Sequence, residues 1–300
     1  MAQAMFRSLL RDQRKDQRPP ESIFYSATHF EHVGPMFDVA WMPILAGLSG
    51  PLQSTELSDV VTLCIEGFKQ AIHIVCLFDI GLARSAYVST LAKFTYLSNL
   101  SEMKSKHVEA IKALLEIALS EGNQLKSSWK DVLTCVSQLE RFQLLNQGAD
   151  AASLPDVNRA RFVTTRRSDE SMRSSFQLQR PSSRSRTSST ISFAKDVADQ
   201  TASREVLMTV DRIFSSSASL SGEAIVDFVR ALSEVSWQEI ESSEGSEQPR
   251  MYSLQKIVEI SYYNMNRIRF EWSAIWSILG QHFNQVPLTL EPYEYVSDWY

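Results

Sequence analysis

The chain has 300 residues, 44% hydrophobic and 10% aromatic, which is ample for one or two packed cores and excludes a disordered or fibrous class. Net charge is −5, and because Arg159 to Arg186 holds eight Arg against Asp169 and Glu170, the rest is more acidic still. An acidic body argues against nucleic acid as a partner, and three cysteines (Cys64, Cys76, Cys135) at irregular spacing exclude a disulfide framework and fit a reducing cytosolic setting.

Residues 2–17 read as a basic amphipathic helix stopped by Pro19-Pro20. At 100° per residue Arg7, Arg11, Arg14, Lys15 and Arg18 share one stripe, with Phe6, Leu9, Leu10 and Met5 largely opposite. Such a helix suits docking on a neighbouring domain or lying on an anionic membrane surface; Asp12 and Asp16 weaken the second. MFRSLL, followed at once by charge, does not read as a signal peptide.

Residues 29–47 predict one or two helices, with Pro35 and Pro43 at first-turn or kink positions. His29, Glu31 and His32 lack the third and fourth ligands a zinc site needs, so capping or packing is the expected role. Leu57 to Phe78 is apolar on nearly every side and reads as a central buried helix, with His73 a satisfied core histidine beside the inert thiol of Cys76. Its apolar run Ala71 to Phe78 falls short of the ~20 residues of a membrane helix. Helices follow at Arg84–Leu100, Lys104–Glu121 and Ser127–Asn146; Glu102, Glu109 and Glu116 recur as a solvated face.

Composition then shifts. Gly148 to Asp196 is rich in Ser and Arg without apolar period and is expected to stay disordered or loosely tethered. Arg180 precedes Ser183 and Arg186 precedes Ser189 by three, a spacing basophilic kinases accept, and these two serines with Ser168 are candidate phosphorylation sites, against the simpler reading of an inert linker. Helical patterning resumes over Ala198–Phe214 and Ala224–Ile240, the latter with Ala224, Ile225, Phe228, Val229, Leu232 and Val235 on one face and Ser221 or Gly222 near its cap. Pro249 to Asn284 holds two amphipathic helices joined at Asn264-Met265-Asn266. Met251, Leu254, Ile257, Val258 and Tyr262 form the first stripe; Ile268, Trp272, Ile275, Trp276, Leu279 and Phe283 form the second.

The expected fold is therefore all-α: about ten helices in an antiparallel, solenoid-like array of HEAT or armadillo type. The divisions are 1–20 (basic helix), 21–147 (first block), 148–196 (Ser/Arg linker), 197–285 (second block, packed on the first) and 286–300 (extended tail). No strained nucleophile turn, Gly-rich phosphate loop or metal-ligand cluster is legible, so no catalytic residue, cofactor or metal is assigned.

Four blocks, Phe30 to Ser49, Ser127 to Leu145, Gly222 to Ser236 and Pro249 to Asn284, resemble in order the large Arf-GTPase guanine-nucleotide exchange factors of the trans-Golgi, the BIG and Sec-seven group. The matching region is the first homology domain downstream of the catalytic Sec-seven domain. That resemblance implies a non-catalytic regulatory region, peripheral on Golgi membranes, that binds GTP-loaded Arf, takes part in autoinhibition of the upstream exchange domain in cis, and gives positive feedback. The family's catalytic glutamate loop has no counterpart here, so no catalytic residue carries over. Two other readings stay open: a lipid-directed targeting module acting through the basic helix, and a helical scaffold for assembly, homodimers included. The acidic surface and the basic N-terminal helix are where partner contacts are expected, with the aromatic helices of 249–284 serving as scaffold.

Overall fold

The computed structural model describes residues 29–147, 197, 199–243 and 249–289. Among these it has nine α-helices and no strand: α1 (Val33–Ser54), α2 (Ser58–Leu77), α3 (Gly81–Lys93), α4 (Ser105–Ser120), α5 (Trp129–Asn146), α6 (Arg204–Ser215), α7 (Gly222–Ser242), α8 (Tyr252–Tyr263) and α9 (Arg269–Thr289). The expected all-α helical array is what the chain forms. Helix α4 packs on α2, α3, α5 and α6, and α7 packs on α5, α8 and α9, so these two are the hubs. Helices α1 and α9 lie at opposite edges, α1 on α2 and α3, α9 on α7.

The prolines of α1 sit where a helix tolerates them. Pro35 is in the first turn, while Pro43 and Pro51 interrupt the ladder on the exposed side, where the freed carbonyls of Val39 and Gly47 face water. Helix α1 runs antiparallel to α2: Gly34 lies under the Phe78 ring and Gly67 under Leu48, so near that a Cβ at Gly67 would come within 2.5 Å of a Leu48 methyl. The end of α1 is held by Lys106 of α4, whose Nζ donates to the carbonyls of Leu52, Gln53 and Thr55 at 2.9, 2.9 and 3.0 Å. A cation on the last carbonyls of a helix satisfies acceptors that have no intrahelical donor and complements the dipole. Asp79, at φ 52°, accepts from Lys126 and Arg84, tying the α2–α3 turn to the start of α5 and holding its own carboxyl below the usual range.

The two blocks close on each other along α5 and α7. Trp129, at the start of α5, donates from Nε1 to Gly122 O at 3.0 Å and sets its ring edge-on against Phe228 of α7, centroids 4.7 Å apart. Phe214 of α6 then meets Phe228, and Tyr252 of α8 meets Phe214. About three turns further along α7, the fully buried Glu239 carboxylate accepts from Ser137 Oγ of α5 at 2.5 Å and from Ser253 N and Oγ of α8 at 2.8 and 2.7 Å. Arg250 spans the same joint, donating to the Ser137 carbonyl and to Glu140. Apolar residues of both blocks belong to one buried cluster.

Several expectations change. Helix α2 buries one face only: Leu63, Glu66, Gln70 and Leu77 are exposed, because its neighbours α1, α3 and α4 cover one side. His73 is on that outer side, 2.9 Å from Glu121, and is not a core histidine; the buried histidines are His107 and His282. By length and composition α2 is the one described helix apolar enough to cross a membrane, yet its apolar face is packed inside the array and its outer face carries charge. Cys64 and Cys76 are buried as expected, and burial pushes the Cys76 thiol up to about 12. The third helix stops at Lys93, short of Leu100, in a turn where Tyr96 takes φ 52°. Glu102 precedes α4 in a separate turn, while Glu109 and Glu116 are exposed on it. The apolar face read for α7 is buried in full, with Ser221 at the cap accepting from Ala224 N. Val286 to Thr289 continue α9, whereas the sequence reading began an extended tail at 286.

Two outcomes follow from this packing. His107 is buried, stacks on Tyr96 at 4.1 Å and accepts from Lys104 N through Nδ1; burial takes its pKa from 6.5 down to about 4. The folded chain therefore refuses a proton that the unfolded chain accepts near pH 6.5, so stability is full above 6.5 and declines as pH falls toward 4. His282, lowered by burial, adds in the same direction. Thermal melts from pH 7.5 to 4 should show this loss, and His107→Asn, which keeps an acceptor, should remove a part on the order of 2 kcal/mol. Trp129→Ala should cost about 3–5 kcal/mol in urea unfolding, the range for large aromatics in a closed core.

Candidate interaction surface

The α8–α9 turn is built from the inside outward by two polar side chains. Buried Asn264 donates from Nδ2 to Ser217 Oγ at 3.0 Å and to Ile260 O at 2.8 Å. Arg267 donates from Nε to Asn264 Oδ1 at 2.6 Å, from Nη1 to Glu271 at 3.1 Å, and from Nη2 to the carbonyls of Ser217, Ala218 and Leu220 at 3.0, 3.2 and 2.6 Å. The guanidinium thus clamps the α8–α9 turn to the α6–α7 connection with charge-assisted bonds.

With the polar groups turned in, the apolar ones face out. Tyr262, Met265, Ile268 and Phe270 are 74, 65, 65 and 83% exposed, Tyr263 lies against Tyr262, and Trp276, nearly two turns along α9, is 58% exposed. Ile257 and Ile260 on α8 and Ile275 and Leu279 on α9 face the core instead. Large apolar side chains displayed from so short a stretch of backbone are unlike the scattered singles of an ordinary surface and suit burial against a partner. The sequence reading placed Val258, Tyr262, Ile268, Trp276 and Phe283 on packed stripes, but Val258, Tyr262, Ile268 and Trp276 are exposed and Phe283 is partly so. With Asn264 and Arg267 bonded inward to the α6–α7 connection, Met265 and Ile268 are left to point away.

Part of the acidic surface is answered within the fold. The groove between α2 and α4 carries Glu66, Glu116 and Glu121, and these meet Gln70, Lys69 and His73. Glu56 meets Lys104, and Glu234 meets Lys130. His29 and His32 sit edge-on at 5.6 Å, and no group of three or more metal-capable side chains occurs among the described residues. The candidate residues Phe6, Arg7, Leu9, Leu10, Arg11, Arg14, Lys15 and Arg18, and the serines Ser168, Ser183 and Ser189, lie outside the described residues.

No protein-family model matches the chain. It is 50% identical over 279 residues, 91% of its length, to the ADP-ribosylation factor guanine nucleotide-exchange factor sec72 of Schizosaccharomyces pombe. It is 42% identical over 88% of its length to the exchange factor SEC7 of Saccharomyces cerevisiae, and 44% identical over 89% to human brefeldin A-inhibited guanine nucleotide-exchange protein 1. The chain spans only 14–15% of the length of these curated relatives. An identity of 42–50% sustained along about nine-tenths of the chain makes it a region of a large ADP-ribosylation-factor guanine-nucleotide exchange factor, and it belongs to the Sec7/BIG family.

Proposed function

We propose that this region is a non-catalytic regulatory domain that binds an activated, GTP-loaded Arf-family GTPase at the Golgi membrane, relieves autoinhibition of the exchange domain in cis and recruits the exchange factor, giving positive feedback. The observation that carries the reading is the rigid apolar display of the α8–α9 turn, Tyr262, Met265, Ile268 and Phe270 around an Arg267 clamp. A GTPase changes the order of its switch segments with nucleotide, so a partner that discriminates the two states needs a preformed surface rather than one it must itself order. The kinship with exchange factors supplies the GTPase class. For binding to relieve inhibition it must be tighter in the open arrangement than in the closed one, since a ligand of equal affinity shifts nothing.

Phe270→Glu should weaken capture of GTP-loaded Arf on liposomes at least tenfold while leaving the melting temperature unchanged, because Phe270 is 83% exposed. Arg267→Met should weaken capture and also lower the melting temperature, since it frees three carbonyls of the α6–α7 connection. Equal capture of GTP- and GDP-loaded Arf by the unaltered region would remove the feedback mechanism.

A further inference from the structure

One charge in the apolar display of the α8–α9 turn is unanswered. Residues 256–285 hold five Lys, Arg, Asp or Glu side chains. Lys256 meets Glu259 at 2.8 Å, and Arg267 meets Glu271 at 3.1 Å. Arg269, the fifth, is exposed between exposed Ile268 and Phe270 and has no hydrogen-bond or ion-pair partner among the described residues. Its position gives the fold nothing either. Arg269 is the first residue of α9, where the helix dipole is positive and a carboxylate is the favoured charge. Glu271, two residues on, obeys that rule and Arg269 breaks it. A local rule broken without return to the fold is the mark of a functional position.

We propose that Arg269 is a specificity-determining contact of this surface, pairing with an Asp or Glu carboxylate presented by the bound GTPase. The inference rests on the GTPase reading and adds to it the chemistry of the partner's face: apolar over Tyr262, Met265, Ile268 and Phe270, acidic beside them. Desolvation is the first argument. Once a partner covers Ile268 and Phe270, water is withdrawn from the charged side chain that stands between them, and a desolvated cation without a counter-ion is costly. A carboxylate, whose two oxygens match the guanidinium fork, turns that cost into a charge-assisted pair. The second argument is the field. The chain carries a net charge of −5, so an acidic group on a partner is repelled by most of it and drawn to this point. Apolar contacts have no direction, so the single attraction sets the register of the complex. An anionic membrane also suits an apolar display with a cation, but one unpaired Arg draws such a surface only weakly.

The test is the binding of the 300-residue chain to soluble GTP-loaded and GDP-loaded Arf by surface plasmon resonance, from about 50 to about 500 mM NaCl. Arg269→Gln should weaken binding to the GTP form about fivefold and flatten its decline with salt; Arg269→Glu should weaken it at least tenfold; Arg269→Lys should keep the salt dependence with part of the affinity. Melting temperatures should be unchanged, or slightly higher for Arg269→Glu, which puts an acid in the first turn of α9. One Asp or Glu of Arf changed to Lys should bind the Arg269→Glu chain more tightly than the unaltered one. Nucleotide-selective binding that Arg269→Gln and Arg269→Glu leave intact overturns this inference and spares the GTPase reading, whereas equal binding of both nucleotide forms by the unaltered chain overturns both. The inference also falls if Arg269→Glu binds more tightly than the unaltered chain. It falls as well if the loss is reproduced on phosphatidylserine vesicles that carry no GTPase, since Arg269 is then a lipid contact.

Discussion

The contact of α5 with α7 is the constraint on which the remaining architecture depends. Forty-nine residues outside the described structure separate the helical blocks in sequence, so what joins them in space is side-chain packing: Trp129 on Phe228, and Glu239 between Ser137 and Ser253. The apolar half of the seam supplies the driving force. The polar half fixes the register, since a buried carboxylate holding three donors from two neighbouring helices tolerates neither sliding nor rotation without losing bonds that water cannot replace. Arg250 adds to this by anchoring the start of α8 to α5. Helix α8, and through the Arg267 clamp the turn into α9, therefore inherit their orientation from a joint some helical turns away.

Two cations do similar work at the chain's sharp connections. Lys106 collects three carbonyls at the end of α1, and Arg267 collects three from the α6–α7 connection. Short helix-to-helix connections leave carbonyls without amide partners, and a long side chain from a neighbouring helix satisfies several at once while keeping its stem in the core. The device explains how helices follow one another here with so few residues between them, and why the surface formed at such a connection is stiff.

Much of this was readable in the sequence, and the misses have one cause. The face of α7 was legible because a hub helix buries a broad apolar stripe, and the period of 3.6 locates it without further information. For α2, α8 and α9 the period shows only that the helix is apolar, since those helices carry two apolar stripes and burial goes to whichever side has neighbours. Ile260 rather than Tyr262 faces the core of α8 because α6 and α7 lie on that side, a fact of tertiary arrangement that local spacing does not encode. His73 was misplaced by the same logic, being judged from its apolar flanks rather than from the side its helix turns outward. The roles of Asn264 and Arg267 depend on the Ser217 hydroxyl and on carbonyls about fifty residues away, and no motif announces them.

The exposed apolar residues collect on the edge helices rather than the hubs, and this has a physical consequence. Hubs α4 and α7 are enclosed on several sides, so changing an outward residue at the α8–α9 turn leaves the seam untouched. Core packing and outward display are thereby carried by different residues of the same helix: Ile275 and Leu279 of α9 for the core, Phe270 and Trp276 for the outside. A surface organised this way pays little ordering entropy on binding, because Arg267 and Asn264 have already fixed the backbone that presents it.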